Sequence, residues 1–199
     1  IKIFFDLFNE FKKYNPLGIE ELNAAKEVID SGVLSQFLGC WHEDFYGGPK
    51  VQEFEMEAAK YFGVKHAVTV NSWTSGLIAI IGALGIEPGD EVIVTPYTMS
   101  ATATAALFYG GIPIFADIDP KRYPIDPQSV ESLITERTKA IVVVHLFGFP
   151  ADMDPIMEIA KRNGLFVIED AAQAPGIYYK GKPVGTIGDI GGFSLNFHK

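Results

Sequence analysis

The sequence predicts an α/β fold with a mostly parallel sheet flanked by helices. Three observations carry this expectation. Short runs rich in β-branched residues, of which Lys139–Val144 is the clearest, recur between glycine, proline and asparagine turns. Segments with apolar residues at helical spacing lie between those runs. The distance from one run to the next suits right-handed strand–helix–strand crossovers.

In chain order, residues 1–18 are aromatic-rich and broken by Asn15-Pro16 and Gly18, the pattern of an arm laid against another surface. Ile19–Ser31 places Leu22, Ala25, Val28 and Ile29 on one helical face, and Gly32 ends it. Gly39–Pro49 is a loop carrying Trp41, His42, Phe45 and Tyr46. Its rings either pack across a subunit boundary or touch a sugar, and packing is the simpler reading. Lys50–Phe62 is a second amphipathic helix with Val51, Phe54, Ala58 and Phe62 inward. These features divide the chain into an arm, helix and aromatic loop over 1–50 and a main domain over 51–199.

The first α/β unit of the main domain is a strand at His66–Val70, a turn at Asn71–Thr74 and an apolar helix to about Leu84. Asn71-Ser72-x-Thr74-Ser75 at this junction suits a phosphate, because hydroxyls, backbone N–H groups and the positive helix end converge there. A plain N-cap by Ser72 or Thr74 fits the same residues equally well. A strand follows at Glu91–Thr95, then Pro96, and Tyr97–Thr102 leads into a helix ending near Gly110-Gly111. Ile112–Ala116 is a further strand, and Asp126-Pro127 caps a helix running to about Ile134. After Lys139–Val144, Asp154-Pro155 opens a helix closed by Asn163-Gly164. The run Phe166–Ile168 then delivers Glu169 and Asp170 to a strand end, with Gln173 just beyond. A glycine-punctuated loop leads to a last short strand presenting Ser194, His198 and Lys199.

Composition narrows the function. A net charge of −9 argues against a nucleic-acid or anionic-membrane surface, while leaving room for a local phosphate pocket. One cysteine, Cys40, allows no internal disulfide, in keeping with a cytoplasmic setting. The apolar run Leu77–Ile86 is far short of the roughly 20 residues a membrane helix needs. The opening stretch lacks the basic start and cleavage site of a signal peptide. No G-x-G-x-x-G leads from a strand into a helix, and there is no Walker A sequence and no Cys/His cluster at metal spacing.

In open α/β sheets, ligands sit at the C-terminal ends of strands. An acid at one strand end and a lysine at the next therefore mark a site, although Asp170 alone could be a cap and Lys199 alone a surface charge. The surrounding motifs are more specific. D-A-A-Q-A-x-G from Asp170, Y-K-G-K-x-x-G-x-x-G-D from Tyr179, and F-S-x-x-x-x-K ending at Lys199 resemble the DegT/StrS family of pyridoxal-phosphate (PLP) sugar aminotransferases.

That resemblance implies the large domain of a fold type I PLP enzyme. Lys199 would be the Schiff-base lysine and later a general base, Asp170 the partner of the pyridinium nitrogen, and Gln173 the neighbour of the ring hydroxyl. Ser194, Thr74 and Ser75 would contact the phosphate. Met99 falls where the family carries a ring-stacking aromatic, with Tyr97 as the alternative. The chain departs from the family's N-S-G-T-[AS]-A-L by having Trp73 for glycine and Gly76 for alanine. The resemblance further implies a homodimer, a keto-sugar acceptor that is usually nucleotide-linked, and glutamate or glutamine as donor. It makes this chain an N-terminal part ending at the Schiff-base lysine, without the small domain, and expected to be inactive alone.

Two rivals remain. The sugar dehydratase branch of the family replaces the lysine with histidine; counting five residues on from Ser194 reaches Lys199, with His198 as its neighbour. A non-catalytic binding or regulatory protein on the same fold is the other. The joint presence of Asp170, Gln173, Ser194 and Lys199 weighs against it.

Overall fold

The computed structural model describes residues 16–34, 36, 37 and 39–196. The arm up to residue 15, His198 and Lys199 lie outside the described residues. The chain divides into two compact units, Ile1–Ala58 and Ala59–Lys199.

In the first unit, helix α1 (Ile19–Ser31) has the bounds its periodicity predicts. The Glu21 carboxylate reaches back to accept the Gly18 N–H at 2.7 Å, and Gly32 ends the helix. The aromatic loop turns through a short 3-10 helix (Glu43–Tyr46), where Trp41 stacks on Phe45 with centroids 5.6 Å apart. Helix α2 (Pro49–Phe62) starts here and runs on into the second unit. The expectation of an inward Phe54 fails: the ring is 47% exposed, and α2 buries no residue fully. Helical period sorts residues onto a face, but only a covering element buries that face.

The second unit is the sheet domain. Helix α3 (Trp73–Ala83) precedes β1 (Glu91–Val94), α4 (Ser100–Leu107), β2 (Ile112–Phe115) and α5 (Pro127–Ser132). Then come β3 (Thr138–Val144), α6 (Met153–Asn163) and β4 (Phe166–Asp170). A small antiparallel ribbon, β5 (Tyr178–Tyr179) and β6 (Lys182–Pro183), leads to β7 (Ile190–Gly192). The main sheet has the order β2-β1-β3-β4-β7, with every pair parallel. The expected class is thereby borne out.

Side chains alternate across the strands, so β1, β3 and β4 each feed two cores. Ile93, Ile141, Val143 and Val167 face α5 and α6, meeting Val130, Ile156 and Ile159. Val92, Val94, Ala140, Val142 and Ile168 face α3 and α4, meeting Leu77, Ile81, Ala105 and Ala106. The chain leaves β1 for β2 on one side and returns with β3 on the other. With right-handed crossovers this reversal puts α4 on one face and α5 and α6 on the other. It also opens a crevice beyond the C-terminal ends of β1 and β3.

One expected strand is absent and one helix start moves. Residues 66–70 form no strand; Val68 is 80% exposed, and the segment enters no ladder among the described residues. β-Branched content gives a strand propensity, but a strand exists only beside a partner. Helix α6 begins at Met153 with Asp152 at the cap, two residues before the predicted Asp154-Pro155 start. Pro155 fits inside the first turn, where a backbone N–H has no helical acceptor to lose. The Asp126-Pro127 cap is as predicted, Asp126 accepting the Gln128 N–H at 3.1 Å. No described helix is long and apolar enough to cross a membrane.

Candidate active site

Strand β4 carries Glu169 and Asp170 at its C-terminal end, and the period of two sends them to opposite faces. Asp170 shares the face of Ile168, toward α3 and α4. Its Oδ1 accepts the Trp73 indole N–H at 2.6 Å and the Ala172 backbone N–H at 3.2 Å. Its Oδ2 accepts the Thr102 hydroxyl at 3.1 Å. Both oxygens act as acceptors, the role of a carboxylate. Asp170 is 5% exposed, so it does not sit on a solvated strand end.

Glu169 shares the face of Val167. It is fully buried and accepts from the His145 ring at 2.9 Å and from the backbone N–H groups of Gly185, Ile187 and Gly188. His145 Nδ1 accepts the Ala151 N–H, so the ring proton lies on Nε2 and points at Glu169. Burial alone pushes the Glu169 carboxyl up. The His145, Gly188 and Gly185 donors outweigh burial and hold it below the usual carboxylate range. This pair is an anchor: it ties the loop before β7 to the ends of β3 and β4. Asp189 adds to it by accepting the Val167 N–H at 2.8 Å.

The start of α3 lies on the Asp170 side. Ser72 caps the helix, its Oγ accepting the Ser75 N–H at 3.1 Å and lying 3.1 Å from the Ser75 hydroxyl. The plain N-cap is thus present, and Thr74 and Ser75 follow it with exposed and half-buried side chains. The Trp73 ring does not swing outward from the strand ends. It packs on the core cluster under α3 and ends at Asp170.

The remaining predicted residues border the same edge of the sheet. Met99 is the N-cap of α4 and is 61% exposed. Tyr97 leans on Tyr123 and Phe147, with centroids 6.2 and 6.3 Å away. The Gln173 side-chain carbonyl accepts the Phe147 N–H at 2.8 Å, so its amide NH₂ is the side chain's donor. Ser194 follows β7 and accepts the Asn196 N–H at 3.3 Å. Its neighbour Phe193 stacks on Phe62 with ring centroids 4.3 Å apart.

The structure therefore brings Asp170, Gln173 and Ser194 to adjoining strand ends, with Thr74, Ser75 and Met99 at the starts of the two helices on the Asp170 face. Sequence reasoning missed Thr102, Trp73 and the His145–Glu169 anchor as parts of this edge. The adjacency of Glu169 and Asp170 was the available signal, since neighbouring strand residues cannot serve one face. A separate cavity of about 300 Å³, bordered by Asp119, Arg122, Asp126 and Asp152, lies apart from these residues. Three carboxylates to one guanidinium make it a poor anion site.

The motifs and this geometry agree with a sequence comparison. The profile of the DegT/DnrJ/EryC1/StrS aminotransferase family matches residues 20–199. The chain belongs to this family. It is 47% identical to the spore coat polysaccharide biosynthesis protein SpsC of Bacillus subtilis, covering 94% of this chain and 46% of that protein. It is 48% identical to the GDP-perosamine synthase of Caulobacter vibrioides, covering 89% of this chain and 48% of the other. An aminotransferase structure from Psychrobacter cryohalolentis superposes with a TM-score of 0.83 at 38% identity, over 92% of this chain and 44% of that one. This DegT-family chain thus spans about half the length of the curated relatives it matches. The resemblance drawn from the C-terminal motifs is borne out.

Proposed function

We propose that this chain carries the cofactor-binding half of a PLP-dependent aminotransferase that transfers an amino group from glutamate or glutamine to a keto-sugar, nucleotide-linked. The observation that carries the reading is Asp170, held as an acceptor at the end of β4 on the face toward the hydroxyl-rich start of α3. This donor and acceptor set fits PLP, with an anion acceptor for a cationic ring nitrogen and a helix N-terminus with Thr74 and Ser75 for a phosphate. When bound, PLP supplies the electron sink.

The chain's own residues supply the rest. Asp170 keeps a proton on the ring nitrogen, Gln173 donates to the ring oxygen, and Met99 covers one ring face. Ser194, Thr74 and Ser75 bind the phosphate. Lys199, five residues after Ser194, holds the cofactor and then moves a proton at the substrate carbon. A cytoplasmic homodimer fits this reading. The nucleotide-linked sugar is supported by a relative named for GDP-perosamine synthesis.

The test uses protein expressed from the whole reading frame and loaded with PLP. Mixing with L-glutamate or L-glutamine should bleach the visible band and release the matching keto acid, and keto-sugars should then restore the band. Loss of a sugar hydroxyl as water, with no amino transfer, would favour the dehydratase reading. A protein that binds PLP but reacts with neither donor nor sugar would favour the binding or regulatory reading.

A further inference from the structure

The Trp73 indole meets its surroundings through three contacts that belong together. Its N–H points at Asp170 Oδ1, 2.6 Å away. Its six-membered ring lies on Gly192, where an added Cβ would stand 1.7 Å from Trp73 Cζ3. It also lies on Gly76, where an added Cβ would stand 2.8 Å from Cε3. Two glycines are thus required for the ring to be where it is. One of them, Gly76, is the second position at which the α3 motif departs from its expected pattern. Trp73 for glycine and Gly76 for alanine are one coupled change: the larger residue needs the smaller one beneath it.

We infer that Trp73 is a positioning residue, and that the Gly76–Gly192 seat aims its indole N–H so that Asp170 is oriented for the cofactor's ring nitrogen. A carboxylate at the end of a strand can rotate about its own side-chain bonds. Here Oδ1 is fixed by Trp73 and Ala172, and Oδ2 by Thr102. The indole comes from the core side, packed against the cluster of Leu77, Ile80 and Ile81, so the donor is rigid. An indole N–H only donates, so it can meet Oδ1 only as an acceptor. Pre-set orientation of this kind saves the ordering cost when a ligand binds.

The inference rests on the reading of Asp170 as the partner of PLP, and its test separates the two. The apparent dissociation constant for PLP is measured by equilibrium dialysis on the whole protein, for wild type, W73F, G76A and the W73F/G76A double variant. Thermal melting without PLP checks that each is folded. W73F keeps an aromatic ring and loses the N–H, and is expected to weaken PLP binding about tenfold. G76A lifts the indole off its seat and is expected to weaken binding to a similar degree. The double variant should bind no worse than W73F alone, because both changes remove the same contact.

A ring that only packs would leave folded W73F within twofold of wild type, and that result overturns the inference. Strictly additive losses in the double variant overturn it too. If W73F does not fold, G76A alone decides: a wild-type constant refutes the inference and a tenfold loss supports it. Failure of the wild type itself to bind PLP would instead sink the functional reading on which this rests.

Discussion

Glu169 and Asp170 are neighbours in β4, yet they face opposite sides of the sheet and meet different partners. Glu169 is locked to His145 and three backbone N–H groups, whereas Asp170 meets Trp73 and Thr102. The first ties the loop before β7 to the sheet, and the second is the residue proposed to meet the cofactor's ring nitrogen.

Their amide variants should therefore fail in different ways. In E169Q the new NH₂ must face donors, His145 and Gly185 on one side or Ile187 and Gly188 on the other. The cost is about 3 kcal/mol, since buried donors lose their acceptor. Urea unfolding should show a lowered midpoint. D170N should unfold near the wild-type midpoint and lose PLP affinity. Equal loss of stability in both would contradict the division of roles.

The same carboxylate sets a pH dependence. Glu169 is held lower in the folded protein than in the unfolded chain, through donors that outweigh its burial. Its contribution is thus fully present above the ordinary carboxylate range and is lost as pH falls through the folded value. Unfolding free energy measured from pH 7 down to pH 3 should fall more shallowly for E169Q than for wild type. Parallel curves would remove Glu169 from the account.

Thr102 offers a cleaner probe of Asp170 because valine nearly matches its shape. T102V deletes the O–H donor to Oδ2 and should cost about 1.5 kcal/mol of stability, with a several-fold weaker hold on PLP. Unchanged binding would mean that Oδ2 is oriented by other groups.

Much of this was legible in the sequence where local chemistry decides. Ile19–Ser31 reads as a helix because its period and Gly32 sit in adjacent residues, and Lys139–Val144 reads as a buried strand because both faces are apolar. The motif around Asp170 and Gln173 carried the site. What stayed hidden depends on partners far along the chain. His66–Val70 has strand composition but no ladder among the described residues. His145 and Glu169 are 24 residues apart, and nothing local announces their pairing. Trp73 reads in the sequence only as a departure from the pattern at the start of the helix, because its seat on Gly192 lies far along the chain.

At the far end of β1, Glu91 is buried against Thr135, Thr138 and Arg137, whose Nη2 lies 2.6 Å from Oε1. The Thr135 and Arg137 bonds hold its carboxyl below the ordinary range. E91Q should cost about 2 kcal/mol in urea unfolding and leave PLP affinity unchanged, because the site is at the opposite ends of the strands. A change in affinity would show coupling along β1 that the structure does not predict.

The most direct measurement is the visible absorption of PLP added to protein from the whole reading frame, for wild type, K199A and D170N. After dialysis against buffer without PLP, wild type should keep a yellow band, K199A should show none, and D170N should keep only a weakened one. A K199A protein that keeps the wild-type band, or a wild type without one, would contradict Lys199 as the residue that holds PLP.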